Sequence, residues 1–466
     1  MPVTFAMLHT RFAALPDPRR AQGRRFSLAA LLTLAVAAIL ANHLSVLAIA
    51  EWGRARDGRE RRALGFIGEV MPHQTTLASL LGCSLRCLFA RLDAQVLAAA
   101  LVLTVTRVPA AVPGAVARGQ QGGAVDGKAQ RGRLAGQPLM TCPIHMLSAP
   151  CHDTGLVRAQ LPVTASGDKP AAELATAPAL IARLDWQGRV LTGDALYCQR
   201  ALCQQVVDAG GDYLVLVKGN QPQLHRDLAT LFAHRADTAL NAASLPALDM
   251  RTATTDDHGH ARTERRTLIA STDLDDYLNW PALAQVFTVE RVWQERGIAK
   301  RPVRYGITSP PVAVANAARL LALKREHWGI ENGLPYVKDV TLGEDRSQIR
   351  KEQGPNVLAM LRDTALNLLR SVGCRTIAAR LRHHCRCLPP SSLSSAFPSL
   401  STHKPLADTN RQWVPYEGEV IGRRNCPRQT LDTGTGQEYY HFYRPVRRGA
   451  HFDSRGEQEK GGQPLR

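Results

Sequence analysis

Three acids stand where strands and a helix are expected. Asp126 lies in GGAVDGKAQRG and Asp194 in RVLTGDALY, both short runs of strand-forming residues, and Glu331 lies in the helix-like stretch AARLLALKREHWGIENGL. Carboxylates that converge from two strands and a helix can hold two divalent ions about 4 Å apart, activating an attacking oxygen and stabilising a leaving one in phosphoryl transfer. Such hard oxygen donors suit Mg2+, or Mn2+, with water completing the octahedron. An acid taken singly is more often a solvated residue, a cap or an ion-pair partner, and the three alone leave that reading open.

The elements that must carry these acids can be read from the change of period along the chain. The segment 1–106 reads as a helical domain: apolar residues recur at three-to-four spacing in EWGRARDGRERRALGFIG and LLGCSLRCLFARLDAQVLAAALVLTV. RVPAAVPGAVARGQQGG, residues 107–123, supplies the prolines and glycines of a linker. Beyond it the strand with Asp126, then PLMTCPIHMLSA and GLVRAQLPV, are joined by turns short enough for an antiparallel meander. The helix AAELATAPALIARLD, the strand with Asp194, the helix QRALCQQVVDAG and the apolar strand DYLVLVKG follow. Three antiparallel strands followed by alternating helix and strand describe an α/β mixed sheet of the ribonuclease-H type, here over residues 124–382. RRTLIAST, AQVFTVERVWQ and PVRYGITS read as strands of a β-rich insertion at about 226–311, and residues 383–466, rich in breakers with few apolar residues at any period, read as an irregular tail.

Composition bounds the partners. The chain has 466 residues, is 45% hydrophobic and carries a formal charge of +18, enough for real cores and for a basic surface that favours a polyanion, with nucleic acid first. Its ten cysteines follow no disulfide-framework spacing, so a reducing cytoplasm is the compartment expected. HHCRC, His383 to Cys387, has no second ligand pair at finger-like spacing. The apolar run Phe26 to Trp52 is alanine-rich and broken by Asn42 and His43, which predicts two buried soluble helices and no membrane span.

Four stretches, VDGKAQRG, GDALYCQRALCQQVVDAGGDYLVLVKGNQ, DHGHARTERRTL and HWGIENGLPYVKDVTLGEDRSQIR, together closely resemble the insertion-sequence DDE transposases, in the branch of the H-repeat-associated proteins. The likeness runs from about residue 10 to about 382 in the family's order, and LPDPRRAQGRRFSLAALLTLAVAAILA is similar to the family's helical leader. The resemblance implies a ribonuclease-H-like core that cuts and rejoins DNA at element ends, with Asp126, Asp194 and Glu331 as catalytic and metal-binding residues for two Mg2+ or Mn2+ ions. It implies terminal inverted repeats and target DNA as partners and a homodimer in the synaptic complex.

Neighbouring residues are candidates for DNA contacts. Lys218 and Asn220, in VKGNQ, follow a strand, where an ammonium and an amide can grip phosphate or a flipped base, or simply form an ordinary strand exit. Lys324, His327 and Lys338 lie at helical spacing from Glu331 and are expected to neutralise phosphates there; Arg346 and Arg350 read as clamps on the DNA backbone. One departure stands out. The family usually carries histidine where this chain has Pro335, which lacks the N–H that would bond to the Glu331 carbonyl. Either the helix bends there or this copy is a decayed, DNA-binding remnant of the enzyme.

Overall fold

The computed structural model describes residues 5–17, 19, 24–68, 70–73, 118–119, 121–129, 145–163, 169–238, 248–259, 262–295, 298–347, 349, 354–374 and 376–387. All fall within the first of two compact units, Met1–Asp408; the second, Thr409–Arg466, lies outside the described residues. After α1 (Phe5–Ala13), the apolar run folds as α2 (Leu28–Leu40) and α3 (Val46–Arg54), and the short α4 (Gly58–Ala63) follows. Ser27 and Ser45 cap α2 and α3, each hydroxyl accepting a backbone N–H at 3.1 Å. Asn42 ends α2 with φ 65°, a left-handed conformation that a short polar side chain tolerates. The Asn42 and His43 amides then bond back to the Ile39 and Ala38 carbonyls, a Schellman turn. No helix among the described residues is long and apolar enough to cross a membrane.

The strand expected around Asp126 is divided at Val125 into β1 (Gln121–Ala124) and β2 (Asp126–Ala129), and β1 begins inside the segment expected to be linker. β2 pairs antiparallel with β3 (His145–Pro150), and β3 with β4 (Val157–Pro162), which is the anticipated meander. After α5 (Lys169–Ile181), β5 (Arg189–Gly193) lies parallel to β1. The crossover helix α6 (Arg200–Asp208) returns the chain to β6 (Asp212–Val217), parallel to β5 and buried throughout.

Beyond α7 (Pro222–Thr238), the strands β7 (Arg251–Gly259), β8 (Arg262–Ser271), β9 (Gln285–Glu295), β10 (Ile298–Lys300) and β11 (Val303–Thr308) pair antiparallel. β8, β9 and β11 are the three strands read from the sequence; β7, whose RTATTDDHG has little apolar alternation, and the exposed β10 were not anticipated. Because β11 also pairs with β6, this ladder continues the main sheet in the order β1-β5-β6-β11-β9-β8-β7, with β10 on β9.

α8 (Ala317–Tyr336) packs on β1, β5, β7 and β8. A π turn, Val337–Thr341, and a 3-10 turn, Glu344–Arg346, lead on to α9 (Gly354–Ser371) and α10 (Ile377–Cys387). Gly343, at φ 59°, makes the left-handed step between the two turns. Every residue of α2 is buried, as a helix apolar on all sides must be. Its cover comes from both ends of the described chain: α1 on one side, and on the other α9, whose Leu358, Leu361 and Leu366 share one core with Leu31 and Leu34. α10 continues to Cys387, into the segment expected to be irregular, and residues 388–466 lie outside the described residues.

Candidate active site

The register of the parallel pair β1 and β5 sets two of the candidate acids side by side. Ala124 faces Thr192 across the ladder, and the Val125 amide donates to the Thr192 carbonyl at 3.2 Å. Asp126 and Asp194 each lie two residues beyond that pair, at the carboxyl ends of strands that run about 4.8 Å apart. There the ladder forks, β2 turning away to pair with β3. Asp194 falls just past β5, where it caps the 3-10 turn Ala195–Tyr197; its Oδ1 accepts the Leu196 amide at 2.9 Å.

Tyr197 folds back beneath this fork and is buried, its hydroxyl donating to Glu173 Oε2 at 3.3 Å. Burial and the carboxylates of Glu173, Asp126 and Asp194 together push the phenol far above its ordinary pKa, so both candidate acids lie within electrostatic reach of one protonated group. Glu173 itself meets His145 at 2.5 Å; burial favours its protonation, but His145 and Lys169 outweigh burial and hold it below the usual carboxylate range. A Cβ at Gly127, one residue after Asp126, would collide with both Glu173 and His145, so the close approach requires glycine.

Glu331 stands on α8, whose side chain at that position lies outside the described residues. The backbone level is set by contacts on either side. Arg319 Nε donates to the Gly119 carbonyl, just before β1, at 3.2 Å, and His327 Nδ1 lies 2.9 Å from Thr192 Oγ1. α8 therefore advances in the same direction as β1 and β5. From His327 to Glu331 a helix rises about 6 Å; from Thr192 to Asp194 a strand rises about 6.6 Å. Position 331 lies four residues beyond His327 on α8, and Asp194 two residues beyond Thr192.

Asp126 and Asp194 are half-buried oxygen donors, a chemistry that suits a hard divalent cation. Among the described residues no three His, Cys, Asp or Glu side chains stand together as a metal cluster.

The expected DNA-contacting residues divide. Lys218 and Arg346 are exposed, and Arg350 lies outside the described residues. Asn220 is exposed at one edge, and its Nδ2 donates to the Ala195 carbonyl at 2.6 Å, tethering the turn capped by Asp194. Two expectations need correction. His327 is 1% exposed and bonded to Thr192, and Lys338 is 1% exposed, 2.8 Å from Asp363 and 3.7 Å from Glu344. Neither side chain faces solvent, so neither reaches a phosphate in this structure. Helical spacing from Glu331 located them; it could not tell the inward side of the helix from the outward one.

Other contacts had no counterpart in the sequence reading. Lys128, two residues after Asp126, is 2.6 Å from Asp339 and 3.8 Å from Asp345, fastening β2 to the turns that follow α8. Thr192 and His152 sit under the fork and join β5 to α8. Lys128 fell inside the VDGKAQRG motif and so had a signal; His152 and Thr192 had none.

Comparison with known proteins places this arrangement. Residues 9–103 match the model described as "DDE_Tnp_1-associated" and residues 119–368 match "Transposase DDE domain". The chain is 28% identical to the Escherichia coli O157:H7 "Putative transposase YncI" over 54% of its own length and 62% of that protein's. It is 26% identical to the Escherichia coli K12 "H repeat-associated putative transposase YhhI" over 48% of its length and 58% of the other's. The match thus spans less than two thirds of either of these relatives. A protein of Xanthobacter autotrophicus, described as uncharacterized and from the dhlA 3' region, is 29% identical over 64% of this chain and 92% of its own. A solved piggyBac transposase synaptic complex covers 84% of this chain and 80% of that one at 12% identity, with a TM-score of 0.38, a likeness too slight to bear on the fold. With the DDE model covering more than half of the chain and containing all three candidate acids, this protein belongs to the transposase DDE domain family of insertion sequences.

Proposed function

We propose that the chain is the DNA transposase of an insertion sequence, cleaving and transferring DNA strands at the element's terminal inverted repeats. The observation that supports this reading is the register of β1 against β5, in which Ala124 pairs with Thr192 two residues before Asp126 and Asp194, together with the His327–Thr192 contact that holds the helix of Glu331 against β5. In this reading the core is of the ribonuclease-H type, preceded by a helical associated domain over 1–106, with the strands of about 226–311 as its β-rich insertion and 383–466 as an appended tail.

Asp126, Asp194 and Glu331 would hold two Mg2+ or Mn2+ ions. Such ions supply activation of the attacking oxygen and stabilisation of the leaving one. The protein's own part is positioning. Asp194 is oriented by the Leu196 amide, the turn it caps is tethered by Asn220, and β2 is fastened to the segment after α8 through Lys128. Lys218, Arg346 and Arg350 would contact the DNA backbone, and two copies of the chain would pair the two element ends in the cytoplasm.

The test is incubation of purified full-length protein with its own element ends and Mg2+ or Mn2+. Asp126→Asn and Asp194→Asn keep side-chain volume and remove the charge that a metal ion requires. Strand cleavage is expected to vanish in both while duplex affinity survives. Cleavage at the wild-type rate by either variant would remove that residue from the site. A decayed, DNA-binding remnant is the second reading, favoured by Pro335 and by the breaker-rich tail 383–466; it predicts binding of the ends without cleavage by the wild-type chain.

A further inference from the structure

The helix that carries Glu331 is joined to the strand that ends in Asp194 by a chain of polar side chains. Arg319 Nη1 donates to Glu326 Oε1 at 2.9 Å, and Glu326 Oε2 faces His152 Nδ1 at 3.1 Å. His152 Nε2 then lies 2.8 Å from Thr192 Oγ1, and Thr192 Oγ1 lies 2.9 Å from His327 Nδ1. Thr192, His152 and His327 are no more than 2% exposed. The His152 ring is seated on the bare backbone of β1, where a Cβ at Gly122 would collide with it.

The Thr192 hydroxyl is the shared atom of this chain: it has one proton and two lone pairs, and besides the two imidazoles it lies 3.4 Å from the Gly123 carbonyl. His152 Nδ1 faces the Glu326 carboxylate, which can only accept, so Nδ1–H is the donor of that bond. Thr192 Oγ1 is shared by His152 Nε2 and His327 Nδ1, the direction of each bond following the tautomers of the two rings. Bonds that share atoms in this way polarise one another.

We propose that Thr192 is a positioning residue for the acid on α8, its hydroxyl fixing the height and rotation of that helix against β5 and hence the place of Glu331 relative to Asp194. The proposal rests on the catalytic reading of the three acids. Its geometric basis is the shortness of the link: two residues along β5 from Asp194 to Thr192, one hydrogen bond, then four residues along α8 from His327 to Glu331. A slip of α8 by one residue would move it about 1.5 Å and turn it about 100°, which this bond does not survive.

Thr192→Val removes the hydroxyl and leaves two buried imidazole nitrogens facing a methyl group; Thr192→Ser keeps it. In the full-length protein with element-end DNA at saturation, Thr192→Val is expected to cleave about ten- to a hundredfold more slowly, the scale set by a misplacement near 1 Å. Its duplex affinity without metal should stay unchanged, and Thr192→Ser should cleave nearly as the wild type does. Wild-type cleavage by Thr192→Val, or a loss in Thr192→Ser as deep as in Thr192→Val, overturns the proposal. Should Thr192→Val not fold, His327→Asn, whose amide stands in for Nδ1, is expected to cleave and His327→Leu to fail; equal rates overturn it.

A wild-type protein that does not cleave at all is a failure of the catalytic reading, and histidine 15N spectra then decide the link. The ring 15N shifts of His152 and His327 are expected to change in Thr192→Val and to be kept in Thr192→Ser. Spectra unchanged by Thr192→Val count against the link itself.

Discussion

Glu326 is a carboxylate kept ionised by its partners. Burial pushes its pKa up, but the His152 hydrogen bond and the Arg319 guanidinium outweigh burial and hold it below the ordinary 4.5. A depressed folded pKa means stability that is present above the unfolded value and lost as pH falls through the folded one. Glu326→Gln keeps the shape and removes the charge. It is expected to cost on the order of 1 kcal/mol at pH 7, because its hydrogen bonds are no longer charge-assisted, and the gap should close once the pH falls below the folded pKa. Urea unfolding of both proteins across that window measures it; a gap of equal size at low pH would mean that the charge contributes nothing. At this scale the sequence offered the types and spacing of His327 and Lys338 but not that both are buried. Lys338 illustrates why. Its ammonium is fully buried, and its pKa is nonetheless raised: burial lowers it, and Asp363, brought from α9, together with Glu344 more than compensates. Nothing local to VKDV announces a partner on another helix.

The helix α8 answers the question raised by Pro335. It continues through the proline to Tyr336, and the chain then passes directly into the π turn Val337–Thr341, where the Leu342 amide bonds to the Val337 carbonyl at 2.9 Å. A proline inside a regular helix costs about 3 kcal/mol through its lost bond and the clash with the preceding turn. A helix that is about to change its hydrogen-bond register has less to lose. Pro335→Ala is therefore expected to raise stability by less than about 1 kcal/mol, well under the full helix-interior penalty. Pro335→His should leave cleavage within about twofold of wild type. A gain of tenfold or more, equivalent to about 1.4 kcal/mol in the barrier, would instead identify a damaged copy. At this scale the sequence served best where apolar periodicity was strong. The broken run Phe26 to Trp52 became α2 and α3, and the meander and the strands β5, β6, β8, β9 and β11 lie where their patterns placed them. β7 escaped because, of its inward positions, Ala253 is apolar while Arg251, Thr255 and Asp257 are polar, so alternation of burial left almost no alternation of residue type.

For the whole molecule the +18 charge makes a prediction about salt. Binding of duplex DNA through phosphate contacts releases counterions, so affinity should fall steeply between low and physiological salt. Lys218→Glu and Arg346→Glu, both at exposed positions, should weaken binding about equally on all sequences, as contacts to the backbone do. A flat salt profile in a fluorescence-anisotropy titration would deny the charge that role. The sequence by itself determined the types and settings of the candidate acids, most of the order of strands and helices around them, the apolar helix that needed covering and the family resemblance, because residue type, period and motif order are written along the chain. The tertiary structure alone decided the rest. It set the register of β1 against β5 just before Asp126 and Asp194, supplied α9 as the cover for α2, continued the main sheet through β11, and turned His327 and Lys338 inward. Each of these depends on pairing between segments far apart in the chain, and a local pattern specifies that an apolar or charged face must be satisfied without specifying which distant segment satisfies it.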